Sequence, residues 1–323
     1  MSRQCTLCFS GLLLMAATFS SAFAQAQTPT SPGASLQRTP WGDPDLQGVW
    51  DRRTITPLQR PDRFAGKAFL TPAEITAYEQ ASAARDDGRP LDYGRAGISV
   101  HDPADLDYGK TVLPTGQTSL IVAPADGRIP PLTPAAKARL EAARPARAGR
   151  GPADSWLDRS LTERCLTWGV PQGMLPQAYN NNIQIVQTRN EVMILIEMVH
   201  DVRIIPLDGR PHLPAQIRQW HGDPRGHWEG DTLVVDSRNF SSQSNFQNAS
   251  ENLHLVERFT RLGHDTLLYE FTVEDDTTWT HPWTVSFPMQ LGDQPVYEFA
   301  CHEGNYGLLN ILGAARALER EGQ

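Results

Sequence analysis

The sequence predicts a mainly β protein whose core is an antiparallel β-barrel. From residue 180 onward, apolar residues recur with a period of two in short runs. Polar turns rich in Gly, Asp and Asn separate these runs, and no crossover helix stands between them. This pattern is typical of an antiparallel barrel or sandwich. After the barrel, residues 306–320 place Leu309 and Leu312 on one face of a predicted C-terminal helix.

The N-terminus has the pattern of a secretory signal. Residues 1–24 combine an early positive charge at Arg3, an apolar stretch and the A-x-A cleavage site Ala22-Phe23-Ala24. We therefore expect a mature chain that begins at Gln25, is exported, and is periplasmic in a Gram-negative host. No apolar run is long enough to predict a membrane span.

The charge balance narrows the class of partner. The chain has 29 basic and 37 acidic residues, a formal net charge of −8, and the signal removes one arginine but no acid. An acidic protein is repelled by phosphate backbones and anionic lipids, so we expect no nucleic-acid partner and no membrane partner. Aromatic residues cluster in the barrel region, which favours a hydrophobic or aromatic small molecule as the partner. The sequence leaves the oligomeric state open.

Two cysteines remain after export. Cys5 and Cys8 lie in the signal, whereas Cys165 and Cys301 flank the barrel region. An even pair in an oxidising compartment predicts one disulfide. It would close a loop of over a hundred residues, which is worth about 4–5 kcal/mol in the chain-entropy model. The alternative is two buried free thiols.

We expect a flexible lead at residues 25–44, followed by a single domain. Within it, residues 45–178 supply the first strand and wrapping segments, and residues 179–305 supply the barrel meander. A threonine N-cap followed by proline predicts helices that begin at Thr71-Pro72 and at Thr133-Pro134.

Besides the first strand, ten segments are candidate strands. Residues 118–122 give one in the wrapping region, and residues 226–231 are expected to be a turn. The other candidates are residues 183–187, 192–198, 199–205, 216–220, 232–236, 253–261, 266–274, 283–289 and 296–303.

One short motif and five longer blocks resemble known proteins. Gly48-Val49-Trp50 resembles the first strand of lipocalin-like barrels, in which the tryptophan closes one end. The blocks resemble a group of exported bacterial proteins; they are residues 179–184, 217–220, 228–235, 255–259 and 301–306. The resemblance implies a lipocalin-like barrel with a packed C-terminal helix, and it carries over no activity.

Glu257 is the leading catalytic candidate. It shares a strand face with Leu255 and Phe259, and a carboxyl group among core residues suits general acid–base work. The alternative is a structural ion pair with Arg203 or Arg218.

Four further residues complete the predicted catalytic set. His200 and His302 are the candidate proton-transfer partners, because imidazole titrates near neutral pH. Arg203 and Arg258 are candidates to hold developing negative charge. His200 could equally be a satisfied core histidine, and His302 could belong to a polar strand end.

Five residues are predicted to position the substrate: Tyr179, Asn181, Trp283, Glu303 and Tyr306. Amides and phenols can orient polar groups of a ligand, and an indole can pack against an aromatic ring. The alternative is that the amides satisfy the backbone of their own loop.

No motif for a metal, nucleotide or nucleophilic serine is present, so we expect a cofactor-independent protein. A site that draws His200, His254 and His302 together from separate strands is left open. The leading hypothesis is an exported lyase-type enzyme that uses general acid–base chemistry on a small molecule inside the barrel. The alternatives are a periplasmic carrier that binds such a molecule unchanged, and a structural or interaction module.

Overall fold

The structure is a computed structural model that describes residues 37–85, 107, 109–143, 149–244 and 246–322. The described residues belong to one compact unit, residues 34–323. The predicted signal lies outside the described residues, as does most of the predicted lead.

In the described part of the chain, ten antiparallel strands form one sheet that curls into a nearly closed barrel, which confirms the predicted mainly β class. The strands are β1 Gly48–Asp51, β2 Ile121–Ala123, β3 Asn182–Gln187, β4 Glu191–Ile196, β5 Asp201–Pro206, β6 Asp223–Glu229, β7 Thr232–Arg238, β8 His254–Arg261, β9 Thr266–Glu274 and β10 Trp283–Leu291. Their order around the barrel is β5-β4-β3-β1-β10-β9-β8-β7-β6, and β2 pairs with β10 outside this path. Among the described residues, no ladder of hydrogen bonds joins β5 to β6.

Gly226 lets the unpaired edges of β5 and β6 approach each other. A Cβ atom at Gly226, on β6, would lie 2.9 Å from Ile205 Cγ2 and 2.6 Å from Leu207 Cδ2. A larger residue would push these two side chains apart, so the absence of a side chain permits the close approach.

Three α-helices among the described residues flank the barrel, and all three begin where the sequence predicts. They are α1 Pro72–Arg85, α2 Pro134–Ala143 and α3 Tyr306–Glu321. Thr71 and Glu74 form a capping box, in which Glu74 Oε2 accepts from Thr71 N at 2.8 Å. Asn305 caps α3, where its Oδ1 accepts from Leu308 N at 3.1 Å.

The prediction of a last strand at residues 296–303 is wrong. β10 ends at Leu291, residues 295–300 have no regular structure, and residues 301–304 form turns. The backbone amides of this segment have acceptors other than a neighbouring strand. Glu197 accepts from Tyr297 N at 3.0 Å, and Phe299 O accepts from Cys301 N at 2.8 Å. Alternation in the sequence could not reveal these partners.

Two assignments near β6 are also wrong. The segment predicted to be a turn at residues 226–231 is mostly strand, and only its Gly-Asp end turns. The segment predicted to be a strand at residues 216–220 contributes one isolated bridge, between Gln219 and Phe240. Glycine and charge favour turns locally, but pairing with β7 holds β6 in the sheet.

The barrel interior is filled by side chains. Trp50 is fully buried, its Nε1 donates to Leu46 O at 2.9 Å, and the Arg261 guanidinium lies 5.3 Å from its ring centroid. Every second residue of β9 points inward and is buried, including Tyr269 and Phe271.

A disulfide joins Cys165 to Cys301, as predicted, with a Cα–Cα distance of 5.7 Å. It ties the segment between β2 and β3 to the segment after β10. Asn305 at the start of α3 also contacts Cys165 Sγ, through its Nδ2 at 3.2 Å.

We expect replacement of both cysteines by serine to lower the free energy of unfolding by about 4–5 kcal/mol, because the unfolded chain would regain the entropy of a 136-residue loop. Urea unfolding followed by circular dichroism would measure it. Reductant should destabilise the native protein but leave the double-serine variant unchanged. Equal stability of the two proteins would mean that the cross-link does not constrain the unfolded chain.

Candidate functional site

Glu257 lies in a buried ion pair at the centre of the barrel. Its Oε1 accepts from Arg203 Nη1 at 2.9 Å and from Tyr269 Oη at 2.8 Å, and its Oε2 accepts from Arg203 Nη2. Both charged side chains have zero solvent exposure. Burial lowers the pKa of Arg203, but the charge and hydrogen bonds of Glu257 raise it by more. The structural ion pair that the sequence left open is therefore present.

The rest of the predicted catalytic set lies elsewhere. Arg258, on the outer face of β8, donates to Glu229 Oε2 at 2.8 Å. His200 and His302 are exposed, and their rings stack with centroids 6.2 Å apart. The structure thus pairs Arg203 with Glu257 and His200 with His302, but it does not bring the two pairs together. Their catalytic roles stay predictions.

Backbone strain accompanies the histidine pair. Val199 and His200 both have left-handed φ angles, of 60° and 47°. This region is unfavourable for a β-branched residue, and strained residues cluster at functional sites.

No residue in the described part of the chain completes a metal site here, because no group of three or more His, Cys, Asp or Glu side chains is arranged to hold an ion.

Two predicted substrate residues are structural in their contacts. Trp283 is fully buried and stacks on Phe246 at a centroid distance of 5.6 Å. Asn181 is buried, and its side chain exchanges hydrogen bonds with the backbone of Gln177 at 2.8 and 2.9 Å. These contacts match the alternative in which the amide satisfies its own loop. Glu303 and Tyr306 are exposed around the start of α3.

The fifth, Tyr179, lines a groove of about 820 Å³ on the outer face of the barrel. We call it the tyrosine groove, and its lining comprises Asp51, Arg53, Asp107, Tyr179, Asn180, Asn182, Glu197, Gln290, Leu291, Gly292, Asp293, Gln294 and Tyr297. Buried Glu197 fixes one wall, since its carboxylate accepts from Asn182 N and Tyr297 N, each at 3.0 Å. The groove combines two phenol rings with carboxylates and amides.

A second arrangement, centred on His254, was not predicted as a catalytic site. His254 Nε2 lies 2.7 Å from Asp236 Oδ2, and its Nδ1 lies 2.8 Å from Glu274 Oε2. Asp236 also accepts from Arg238 Nε at 3.0 Å, and its Oδ1 lies 2.9 Å from His212 Nε2. Both ring nitrogens of His254 therefore face carboxylate oxygens, an arrangement that favours the imidazolium form.

His254 and Glu274 line an open pocket of about 500 Å³, which we call the His254 pocket. Its lining is Thr133, Asn252, His254, Glu274, Asp275, Asp276, Trp279, Thr280, His281 and Pro282. The Glu274 side chain is 45% exposed, so a ligand can reach its carboxylate. A titratable pair at the wall of a pocket makes this arrangement a candidate proton-transfer site.

The hydrogen bonds shift the pKa values in opposite directions. The hydrogen bond to Asp236 raises the pKa of His254, against the effect of partial burial, and the bond to Glu274 adds to the rise. Burial raises the pKa of Asp236, but hydrogen bonds from His254 and Arg238 lower it by more. His254 and Asp236 therefore both stay charged over a wide pH range.

Strand register creates this site. The β8–β9 hairpin places His254 directly opposite Glu274, and β7 places Asp236 beside them on the same outer face. The sequence contained a signal for the first contact, because the predicted strands at 253–261 and 266–274, closed by a tight turn, pair these two positions. The position of Asp236 depends on the register in which β7 pairs with β8, and alternation within each strand does not give that register.

Comparison of the chain with family models, with curated proteins and with solved structures finds no match. Of the helices in the described part of the chain, none is long and apolar enough to span a membrane.

Removal of one partner from the buried ion pair should be costly. We expect Glu257→Gln to lower the free energy of unfolding by about 3–5 kcal/mol, because Arg203 would keep a buried, uncompensated charge. Replacement of both residues by apolar ones, Arg203→Met with Glu257→Leu, should cost much less. The control is Glu229→Gln, which breaks an exposed pair and should change stability by less than about 1 kcal/mol. Chemical denaturation would measure all three variants, and a small effect of Glu257→Gln alone would contradict the expectation.

The stabilisation from the His254–Asp236 contact should depend on pH. The raised pKa of His254 gives stability that is complete below the unfolded value of 6.5 and is lost as pH rises through the folded pKa. The lowered pKa of Asp236 gives stability that is present above 3.8 and is lost as pH falls through the folded pKa. The stability difference between the native protein and His254→Gln should thus be largest between about pH 4 and pH 6.5. In an Asp236→Asn background, this pH dependence should become smaller, because Glu274 alone then raises the pKa of His254. A difference that stays constant from pH 4 to pH 9 would rule out the coupling.

Proposed function

We propose that the protein is an exported enzyme of the lyase class, which uses general acid–base chemistry on a small molecule bound in the His254 pocket. The observation that supports this proposal is the placement of His254 between two carboxylates at the wall of a solvent-accessible pocket. The filled barrel interior, with Glu257 engaged by Arg203 and Tyr269, favours this outer site over one inside the barrel.

Glu274 and His254 provide the general base and the general acid that an elimination needs. Glu274 would take the proton from carbon, the C–H electron pair would form the new double bond, and the leaving oxygen would depart with its bonding pair. His254 would give that oxygen the proton on its Nδ1, while Nε2 stays protonated beside Asp236. Glu274 would then return its proton to His254 Nδ1 across their 2.8 Å contact, which restores the starting state. Asp236 would act as a positioning residue that orients the imidazole.

Export is supported by the signal pattern at residues 1–24 and is compatible with the Cys165–Cys301 disulfide, which suits an oxidising compartment.

We also propose that the barrel is lipocalin-like. The buried Trp50 with a guanidinium over its ring, and the C-terminal helix α3, support that likeness.

A carrier function is the second candidate. It is favoured by the tyrosine groove, whose volume of about 820 Å³ suits a small ligand and whose lining includes Tyr179 and Tyr297. A carrier would retain its ligand unchanged and in a fixed ratio to protein.

Mass spectrometry of the mature protein, from Gln25 onward, would test the proposal with a panel of plant-derived aromatic compounds and related apolar compounds. An enzyme should convert a compound at catalytic protein ratios, with the mass change of the eliminated group. His254→Gln and Glu274→Gln should each slow turnover by about 10²–10⁴-fold, the range for loss of a general acid or base. The matched control is His227→Gln, an exposed histidine on β6, which should leave the rate unchanged. Full turnover by His254→Gln would refute the proposed site, and retention of unchanged ligand would favour the carrier.

A further inference from the structure

Another pocket lies between two connecting segments, away from the His254 pocket. It has a volume of about 500 Å³, and we call it the arginine pocket. One wall comes from the segment between β2 and β3, from Leu157 to Gln172, and the other from the loop between β7 and β8, from Ser242 to Gln247. Among the described residues, none lines both this pocket and the His254 pocket. The arginine pocket is therefore a separate candidate site.

The charge of the arginine pocket is opposite to that of the whole chain. The chain has a formal net charge of −8, whereas the described lining carries two arginines, Arg159 and Arg164, and no acidic side chain. Glu163, outside the lining, forms an ion pair with Arg159. Asp201, which accepts from a lining hydroxyl, lies 3.3 Å from His221 Nε2. Arg164 is left as the lining charge that no described carboxylate balances, and it favours an anion in the pocket.

The Arg164 guanidinium has an aromatic partner but no acceptor in the described part of the chain. Its Cζ lies 4.5 Å from the centroid of the Trp156 ring. Stacking of this kind covers a face of the planar group and leaves the N–H bonds along its edge to other partners. No described residue accepts a hydrogen bond from them. A carboxylate fits such an edge, because its two oxygens can accept from two parallel N–H bonds.

Amide side chains supply further hydrogen bonds. Gln172, Gln243 and Gln247 line the pocket, and none of their side-chain amides bonds to a described residue. Each amide can donate to a ligand oxygen and accept from a ligand hydroxyl. Trp168 and Phe246 add apolar surface to the same lining. The lining thus suits a small acid whose body is held by amides and rings.

Both walls of the arginine pocket are anchored to the barrel. Thr167 Oγ1 donates to Asp201 Oδ2, on β5, at 2.9 Å. The ring of Phe246 stacks on Trp283, on β10, at a centroid distance of 5.6 Å. The disulfide at Cys165 holds the first wall a second time. A ligand would therefore meet a largely preformed surface, which lowers the entropy cost of binding.

We propose that the arginine pocket binds a small organic monocarboxylate, whose carboxylate accepts from the edge of the Arg164 guanidinium. One arginine charge is left over in the pocket, so a ligand with a single negative charge balances it, whereas a dianion would add charge to an already acidic protein. The site shares no described lining residue with the His254 pocket, so the inference stands apart from the proposed function.

Isothermal titration calorimetry of the mature protein, from Gln25 onward, would test the inference. The probes are benzoate, hexanoate and lactate, each beside its uncharged primary amide, with phosphate and sulfate as the inorganic anions. At least one of the three acids should bind with a Kd of about 1 mM or tighter. Its amide should bind about tenfold or more weakly, because it loses a charge-assisted pair of hydrogen bonds.

Substitution of Arg164 should remove this preference. Arg164→Gln should weaken binding of the same acid about tenfold or more, and Arg164→Lys should recover part of the affinity, because it keeps the charge without the planar fork. The matched control is Arg63→Gln. Arg63 also stacks on aromatic rings, 4.9 Å from the Phe64 centroid and 4.8 Å from the Tyr78 centroid, but lies outside the arginine pocket. This variant should bind as the native protein does.

Circular dichroism would establish that each variant is folded before its affinity is compared. Four outcomes would each overturn the inference. They are no binding of any of the three acids, equal affinity for an acid and its amide, tighter binding of phosphate or sulfate than of every acid, and unchanged binding by folded Arg164→Gln.

Discussion

The buried ion pair between Arg203 and Glu257 is the constraint around which the barrel is organised. Two charges without solvent exposure are tolerated only when hydrogen bonds satisfy them, and here two hydrogen bonds from Arg203 and one from Tyr269 satisfy the carboxylate. Burial, followed by the charge of Glu257, raises the pKa of Tyr269 well above its ordinary value, so the phenol stays a donor. The group links β5, β8 and β9 across the interior.

This group and the surrounding aromatic side chains fill the centre, so the site that we propose lies on the outside of the barrel. The outward faces of β7, β8 and β9 hold Asp236, His254 and Glu274 in a row. A rigid sheet positions such side chains more accurately than a loop does, while the loop before β8 and the one after β9 supply the pocket walls. The packed core and the exposed site are thus two faces of the same strands.

The segments outside the barrel are held by specific contacts rather than by a core of their own. The disulfide Cys165–Cys301, the cap at Asn305 and the carboxylate of Glu197 hold the segment that follows β10. Glu197 in particular holds the backbone of Tyr297 where alternation predicts a strand. The same contact shapes the tyrosine groove, so an irregular segment is used to build a surface feature.

The sequence by itself determined the elements whose causes are local. Period-two alternation predicted β8 and β9 nearly to the residue, threonine–proline starts predicted α1 and α2, and cysteine parity predicted the disulfide. It also placed Glu257 on an apolar face, but it left open whether that residue had a partner. Tertiary structure decided that Glu257 meets Arg203, that His254 meets Asp236, and that the chain after Leu291 leaves the sheet. These outcomes depend on which strands become neighbours and in which register, and no local pattern encodes pairings between distant segments.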